Sequence, residues 1–249
     1  VDRDQDTLQL AKKRGAGDEW TDDAIHAIGE ADITFLCLHP RGIADFLHQY
    51  AGQFREGALV TDVCGIKSAI LEASKVLPDT VDFIGGHPMA GRETSGIAHA
   101  EQGLFKGAHY ILTPGAQSRA DHMALLRRLA LYIGCKDVVE TSAQKHDELI
   151  AYTSQVMHIM AVAVCDDPDL FDCKGFEGNS FRDCTRVAAL DVPLWTELFS
   201  MNAPALCAMI KRLEENLRLY REALEAGDTE LLYQKLSYSA ERKRRMNLE

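Results

Sequence analysis

The sequence VDFIGGHPMAG at residues 81–91 joins a short apolar run to two glycines, a histidine and a proline. A short apolar run bounded by Gly or Pro favours a buried strand over a helix. Further runs of the same kind lie at 32–38, 58–62 and 109–113. Segments of helical length separate these runs, among them 66–77 and 119–133. This alternation predicts an α/β domain with a parallel sheet and crossover helices.

Polar and glycine-rich segments follow three of the predicted strands, at the point where each strand ends. They are His39-Pro40, residues 62–67 and residues 85–91. Because ligands bind at the carboxyl ends of parallel strands, we expect these segments to converge on one crevice. His87 is the candidate proton acceptor there, since the pKa of a histidine lies near neutrality. On the residues alone, a hydrogen-bonded loop histidine is an equally good interpretation.

The pattern changes near residue 142, beyond which the sequence predicts helices only. Residues 143–165 are predicted to form a long helix. Apolar residues at steps of three and four from 206 to 224 predict a second, amphipathic one. We therefore divide the chain into an α/β domain, 1–141, and an all-helical domain, 142–249. Helices with so much apolar surface are expected to pack against a second subunit in a homodimer.

The charge of the chain argues against nucleic acid as a partner. The formal net charge is −11, so the chain has no excess of cations to offset phosphate charge. A basic run, 242–245, ends the last predicted helix, which follows a stop and N-cap at Gly227-Asp228. Favourable charge at a helix C-terminus explains that run better than a nucleic-acid patch does.

The composition also bears on the compartment. No stretch approaches about 18 consecutive apolar residues, so no membrane-spanning helix is expected. The chain has seven cysteines, an odd number, and no C-x-x-C pair. Free thiols in a reducing cytoplasm are therefore expected, and neither disulfides nor a metal site.

Several motifs, in order along the chain, carry a family resemblance. GGHPMAGRETSG at 85–96 resembles the GGHPMAGxExSG signature of prephenate and arogenate dehydrogenases. KHDE at 145–148, with Thr153-Ser154 and His158 beyond it, is similar to the family's HDE…TSHLPH helix. GNSFRDCTRVA at 178–188 resembles its GFRDxTRIA segment, and Trp195 and Asn202 fit the pattern that follows. The resemblance extends from residue 1 to about residue 220.

The resemblance implies a Rossmann-like NAD(P)-binding domain followed by an all-α dimerisation domain. It implies the NAD-dependent oxidative decarboxylation of prephenate to 4-hydroxyphenylpyruvate, a step of tyrosine biosynthesis, with arogenate as the alternative substrate. His87 matches the family's catalytic histidine, which takes the proton of the substrate hydroxyl. We expect His87, His158 and Arg186 to form a local cationic pocket in this acidic protein.

The resemblance also implies which residues bind the substrate. Arg186 matches the carboxylate-binding arginine, whose guanidinium pairs with carboxylate bidentately. His158 matches a second substrate-side histidine, while Glu93, Asp183 and Lys67 are expected to shape the pocket or add charge. The alternatives are an interhelical salt bridge for Arg186, a buried structural role for His158 and an exposed position for Lys67.

The cofactor side is predicted from the strand ends and from the first residues of the chain. Asp2 matches the acidic residue that takes the adenosine ribose hydroxyls, which favours NAD over NADP. Arg3 is expected to stack on adenine, or to accommodate NADP as the alternative cofactor. His39, Pro40 and Cys64, at two strand ends, complete the predicted cofactor site.

The chain departs from the family pattern at three places. Gly65 stands where many members have a serine that helps orient the catalytic histidine, so either water, Cys64 or another neighbour does so, or the rate is lower. Gln155 and Met157 replace the first histidine and the proline of the SHLPH motif. Gln155 can still hydrogen-bond but cannot carry charge.

The Gly-rich turn of a dinucleotide-binding domain is absent from these 249 residues, which contain no G-x-G-x-x-G motif. The chain is expected to begin about 30 residues after the start of such a fold, without its first strand. We expect this form to retain a substrate site and to bind NAD weakly or not at all. A catalytically silent binding or dimerisation protein is the alternative from another class.

Overall fold

The computed structural model describes residues 1–91 and 94–247. Its centre is a five-stranded sheet in which the spatial order of the strands follows the chain. The strands are β1 (Ile33–Leu36), β2 (Leu59–Asp62), β3 (Asp82–Pro88), β4 (His109–Pro114) and β5 (Asp137–Glu140). The predicted apolar runs supply β1 to β4. β2 is buried at all four positions, as expected for a strand covered on both faces.

The sheet is mixed, which corrects the prediction that it is parallel throughout. β1, β2 and β3 are parallel to one another, and β4 is parallel to β5. β4 runs antiparallel to β3, with His87 opposite Ile111. Parallel neighbours need a long crossover, usually through an α-helix. The described part of the 89–108 connection contains only the 3₁₀ turn Ile97–His99, so the chain reverses direction there.

Five α-helices accompany the described strands. They are α1 (Gln5–Lys13), α2 (Ala24–Glu30), α3 (Pro40–Tyr50), α4 (Ser68–Ala73) and α5 (Ala120–Tyr132). α1 begins after Asp4, whose carboxylate accepts from the N–H of Thr7. α3 begins with Pro40, because proline suits the first helical position, where its missing N–H costs nothing.

Two apolar clusters cover the two faces of the sheet. Neighbouring residues of β2, Leu59 and Val60, are both fully buried but belong to different clusters, because successive side chains of a strand point to opposite faces. The cluster on the Val60 face includes Ile43, Leu47, Ile70, Phe83 and Leu198. The cluster on the Leu59 face includes Ile84, Tyr110, Leu112 and Leu126. The sheet is therefore a buried central layer.

The described residues beyond β5 are helical or irregular, as predicted. The helices are α6 (Ala143–Ile150), α7 (Val156–Cys165), α8 (Asn179–Thr185), α9 (Val192–Met201), α10 (Ala203–Glu225) and α11 (Thr229–Met246). A π-helical turn, Ala151–Gln155, joins α6 to α7 without a break. Gly227 has a φ of 63°, and the Asp228 carboxylate accepts from the N–H of Leu231, which confirms the predicted stop and N-cap.

By compactness the chain divides into two units, Val1–Ala203 and Pro204–Glu249. The predicted domain boundary between residues 141 and 142 stays a prediction. The first unit contains the whole sheet and helices α1 to α9, and the candidate site described below lies within it. The second unit consists of α11 and most of α10.

One continuous helix among the described residues, Ala143–Cys165, is long and apolar enough to cross a membrane by length and composition alone. The most apolar 18-residue stretch of this helix has a mean hydropathy of 1.3, and 28% of that stretch is buried within the fold. The same helix carries His146, Asp147 and Gln155, which are buried and hydrogen-bonded inside the first unit. These polar contacts are those of a helix that packs within a globular unit.

Candidate active site

A buried ion pair lies at the carboxyl end of β2. The ammonium of Lys67 donates to the carboxylate of Asp62 and, at 2.7 Å, to the carbonyl of Gly86. Asp62 also accepts from the N–H groups of Cys64 at 2.9 Å and Gly86 at 3.2 Å. The pair thus fastens the loop after β2 to the strand that carries His87. The exposed position that the sequence left open for Lys67 is wrong, because this residue is only 1% exposed.

His87 is the first member of a hydrogen-bonded chain of three side chains. Its Nδ1 atom lies 2.8 Å from Nε2 of His146, the fourth residue of α6. Nδ1 of His146 in turn lies 2.8 Å from Oδ1 of Asp147. His146 and Asp147 are buried. The orientation of the His87 ring is therefore set from behind by α6.

Main-chain N–H groups bind the carboxylate of Asp147, the last of these three hydrogen-bonded side chains. Oδ1 of Asp147 accepts from the N–H of Lys67 at 2.8 Å, and Oδ2 accepts from the N–H of Ser68 at 2.8 Å. Burial raises the pKa of Asp147, but the hydrogen bonds from His146 and Ser68 outweigh it and hold the pKa below its ordinary value. Asp147 is thus an ionised acceptor at neutral pH.

The pKa of His87 lies well below the ordinary value of 6.5 for a histidine. Burial is the largest cause, and the positive charges that His146 and Lys67 can carry act in the same direction. The nearby carboxylate of Asp147 opposes them without reversing the shift. His87 is therefore neutral near pH 7, the form that can accept a proton.

α9 forms a wall that links His87 to a second histidine. A Cβ atom placed on Gly65 would lie 3.5 Å from Leu198 of α9 and 3.9 Å from Nε2 of His87. Three residues before Leu198, on the same face of α9, Trp195 stacks on His158 with ring centroids 3.7 Å apart. The two histidines and Gly65 therefore border the same stretch of α9.

His158 is held in one tautomer and is mostly neutral. Its Nδ1–H donates to the carbonyl of Ser154 at 3.0 Å, which leaves Nε2 as an acceptor. Burial lowers the pKa of His158, and the Arg186 guanidinium lowers it further, while the bond to Ser154 opposes the shift. The expected cationic pocket is corrected accordingly, because the lowered pKa of both His158 and His87 leaves these two rings mostly neutral near pH 7.

A buried amide pair braces α6 against the end of α9. The amide nitrogen of Asn202 donates to Oε1 of Gln155 at 2.7 Å and to the main-chain carbonyl of Asp147 at 3.0 Å. Gln155 donates to the carbonyl of Leu198 at 3.3 Å. In this chain Gln155 is therefore a structural residue bonded through both its amide nitrogen and its amide oxygen, and its partner Asn202 holds the backbone that carries Asp147.

The predicted cofactor residues lie in three separate places. Asp2 is half-buried, and its Oδ1 accepts from the N–H of Asp4 at 2.9 Å, while Arg3 is exposed. His39 is the exposed N-cap of α3 and makes no side-chain capping bond, and Pro40 is buried as the first residue of that helix. Cys64 is buried, and burial raises the pKa of its thiol to about 11.

The N-terminus of α3 is occupied by a carboxylate of the protein itself. Oε2 of Glu197, from α9, accepts from the N–H of Arg41 at 3.0 Å. Helix N-termini attract anions, and this one is served by the protein itself. The residues present fit the ribose end of a dinucleotide through the acceptor Asp2, while residues 1–249 contain no G-x-G-x-x-G turn for its pyrophosphate.

Comparison with known proteins places this geometry in a family. Residues 1–139 match the family model described as "Prephenate dehydrogenase, nucleotide-binding domain", and residues 142–238 match "Prephenate dehydrogenase, dimerization domain". The chain belongs to the prephenate dehydrogenase family. The family resemblance inferred from the motifs is thereby confirmed, as are the fold class and the assignment to NAD-dependent dehydrogenases.

Curated relatives from the prephenate dehydrogenase family align over most of the chain. Cyclohexadienyl dehydrogenase of Zymomonas mobilis is 28% identical over 238 residues, which cover 93% of this chain and 80% of the relative. Prephenate dehydrogenase of Bacillus subtilis is 28% identical over 94% of this chain, and that of Lactococcus lactis 31% over 86%. The aligned part spans 64% and 60% of the latter two enzymes.

Solved structures of the prephenate dehydrogenase family share the fold. Prephenate dehydrogenase from Aquifex aeolicus, in complex with hydroxyphenyl propionate and NAD+, superposes with a TM-score of 0.85 at 27% identity. The alignment covers 100% of this chain and 87% of that one. Arogenate dehydrogenase from Synechocystis gives a TM-score of 0.83 at 28% identity, over 99% and 90% of the two chains.

The structure brings some of the predicted site residues together and leaves others apart. His87 and Lys67 are linked through His146 and Asp147, since Asp147 accepts from the N–H of Lys67. His158 and Arg186 are close enough to interact electrostatically. Asp183 is exposed on α8. Glu93 lies outside the described residues. The roles assigned to these residues stay predictions.

The sequence prediction assigned no role to the two buried side chains of α6 behind His87. The motif at 145–148 contains His146 and Asp147, but nothing in it names their partner. A His-Asp pair on an otherwise apolar predicted helix is a usable signal, because a buried charged group needs a bonded partner.

Proposed function

We propose that this chain catalyses the NAD-dependent oxidative decarboxylation of prephenate to 4-hydroxyphenylpyruvate, in tyrosine biosynthesis. The observation that carries the proposal is the neutral His87 at the carboxyl end of β3. Its Nδ1 atom is bonded to His146, so its Nε2 atom is available to a substrate. Membership of the prephenate dehydrogenase family supplies the reaction class.

His87 acts in this proposal as the general base. When bound, NAD+ accepts the hydride from the ring carbon that bears the substrate hydroxyl. That hydroxyl must lose its proton as the carbonyl develops, and Nε2 of His87 takes it. Because burial lowers the pKa of His87, the imidazole is ready in its neutral form. Loss of the ring carboxylate as carbon dioxide then makes the ring aromatic.

Arg186 and His158 serve the substrate side. The guanidinium of Arg186 binds a carboxylate of prephenate, because its fork pairs bidentately and keeps its charge. His158, held by Ser154 and stacked on Trp195, presents Nε2 as a hydrogen-bond acceptor. The family resemblance assigns to Glu93 and Asp183 the role of orienting the cations or shaping the pocket.

The cofactor preference follows from the residues at the start of the chain. Asp2 accepts from the adenosine ribose hydroxyls and repels a 2′-phosphate, which favours NAD over NADP. Arg3 would stack on the adenine or accommodate NADP, and His39, Pro40 and Cys64, beyond the ends of β1 and β2, would complete the residues that hold the cofactor.

Initial rates with prephenate and arogenate, each with NAD and NADP, test the proposal. We expect the fastest NADH formation with prephenate and NAD. Faster turnover of arogenate assigns the other substrate, and no turnover with any pair supports the silent binding form.

His87→Asn tests the general base. This variant should lose turnover while it still binds prephenate in calorimetry. His122→Asn is the matched control, since His122 is another mostly buried histidine bonded to a carboxylate, Asp82. Unchanged turnover in His87→Asn removes His87 from the mechanism.

We also propose that the protein is a homodimer. Residues 142–238 match a dimerization domain, and the second unit exposes the leucines Leu217, Leu224, Leu231 and Leu236. Burying such side chains against a second copy is favourable by roughly 25 cal/mol for each Å² of apolar surface. Light scattering should give twice the chain mass, and a monomer at micromolar concentration refutes the proposal.

A cytoplasmic location completes the proposal. All seven cysteines are free, which suits a reducing compartment. Cell fractionation should find the protein with the soluble fraction, and recovery with membranes refutes this assignment.

A further inference from the structure

We propose that His146 and Asp147 form a proton relay that receives the substrate proton through His87. This inference rests on the proposed function of His87 as the general base. The relay does not touch the substrate, so His146 and Asp147 are positioning residues.

The direction of each hydrogen bond in the relay follows from its fixed end. The main-chain N–H groups of Lys67 and Ser68 can only donate, so the Asp147 carboxylate accepts from both. Its Oδ1 therefore also accepts from Nδ1–H of His146, at 2.8 Å. A neutral imidazole with a proton on Nδ1 has its lone pair on Nε2. Nε2 of His146 thus accepts from Nδ1–H of His87, and the lone pair of His87 lies on Nε2.

The surrounding charges favour transfer of the proton away from His87. An imidazolium at His87 is buried near the ammonium of Lys67, which disfavours it, although Asp62 is paired with that ammonium. An imidazolium at His146 lies directly against the carboxylate of Asp147, at 2.8 Å. The apolar Leu198, from α9, adds no charge on the Gly65 side. The second histidine is therefore the better place for the positive charge.

The relay step balances without any further reactant. The O–H bond of the substrate breaks as N–H forms on Nε2 of His87. The N–H bond on Nδ1 of His87 breaks as N–H forms on Nε2 of His146. His87 is then neutral with its proton on Nε2, and His146 is the imidazolium. Because His146 is only 1% exposed, the proton returns through His87 to solvent when the product leaves.

His146→Gln separates the relay from a merely structural role. The amide oxygen of glutamine can accept from Nδ1–H of His87, but the amide cannot take up a proton. We expect kcat to fall by about 10–100-fold, while KM for prephenate changes by less than about threefold. This loss is at or below the lower end of the roughly 100- to 10,000-fold typical of general acid–base catalysis, because His87 itself remains as the base. The acid limb of the kcat/KM profile should move to lower pH, because the protonated variant must hold the positive charge on His87, near the ammonium of Lys67, and not on His146 against the carboxylate of Asp147.

His122→Gln is the matched control. His122 is bonded to Asp82 at 3.0 Å and is mostly buried, but it is not part of the relay. This variant should keep the wild-type kcat and pH profile. Circular dichroism and thermal unfolding identify any variant that fails to fold. A folded His146→Gln enzyme with wild-type kcat and pH profile overturns the relay.

The tautomers of His87 and His146 test the relay independently of enzyme activity. In a proton–nitrogen correlation spectrum of the wild-type histidine rings at neutral pH, His87 and His146 should both carry their proton on Nδ1. A proton on Nε2 of His146 overturns the relay whatever the enzyme does. If the spectrum agrees and no prephenate is oxidised, the proposed function fails while the hydrogen-bond order stands.

Discussion

Replacing Gly86 by alanine tests how closely β2 and β3 approach each other beside His87. A Cβ atom at this position would lie 2.6 Å from the main-chain oxygen of Asp62 and 2.8 Å from the hydroxyl of Tyr110. The Tyr110 side chain can shift, but the main-chain oxygen belongs to the neighbouring strand. The two strands must therefore move apart to admit the methyl group.

The cost follows from what this movement disturbs. Overpacking a filled core costs about 1–3 kcal/mol. The carbonyl of Gly86 also accepts from Lys67, and its N–H donates to Asp62, so a shift of β3 weakens two buried hydrogen bonds. Weakening these hydrogen bonds is expected to cost about 1 kcal/mol in addition to the overpacking. The free energy of unfolding should therefore fall by about 2–4 kcal/mol in total.

Gly65→Ala is the control for this prediction. Its added Cβ meets only Leu198 at 3.5 Å and the His87 ring at 3.9 Å, which are ordinary contacts. Its stability should stay within about 0.5–1 kcal/mol of the wild type. Urea unfolding, followed by circular dichroism, gives the free energy of unfolding of both variants when m, the slope of that free energy against urea concentration, is the same for both. Equal midpoints for Gly86→Ala and Gly65→Ala would refute the packing argument.

Four further measurements test the site. Because the pKa of His87 lies below 6.5, kcat/KM for prephenate should stay level down to pH 6.5 and fall only below it. His87 gains a proton on unfolding in that range, so the free energy of unfolding should also decrease as the pH drops below 6.5. Lys67→Met leaves Asp62 buried without its cation and should cost about 3–5 kcal/mol in urea unfolding, whereas Lys75→Met, at an exposed pair, should change little. Because burial raises the pKa of the Cys64 thiol to about 11, this thiol should react with an alkylating reagent more slowly than the exposed Cys184, as measured by peptide mass spectrometry.

The positions of the strands could be predicted from the sequence, but the direction of β4 could not. Short apolar runs between Gly and Pro identify strands because the run itself must be buried. The alternation of side chains is the same whether a strand runs parallel or antiparallel to its neighbour. The direction of β4 depends on the 89–108 connection, whose described part contains no crossover α-helix.

The site was predictable where a single motif carries the chemistry. His87, His158 and Arg186 each lie in a local pattern that names a role. The bond between His87 and His146 joins residues 59 positions apart, a separation that no local pattern encodes. For Lys67 the difficulty is one of burial. A lysine is expected to be exposed because its charge is rarely buried. The sequence does not show that Lys67 pairs with Asp62, since this contact forms only when the loop after β2 folds back.

The π-helical turn between α6 and α7 has a consequence for how the gene can vary. His146 and Asp147 lie before the turn, and His158, stacked on Trp195, lies after it. A π-helical residue turns the chain through a smaller angle than an α-helical one, so the five residues of the turn advance about as far around the axis as four α-helical residues would. Deleting one residue from the turn would therefore restore regular α-helix and keep His158 on the face that meets Trp195, with the relay behind His87 in place. A deletion in the α-helical parts on either side, between Asp147 and His158, would instead rotate everything beyond it by about 100°. The turn is therefore the place where this helix can lose a residue without separating the relay from His158.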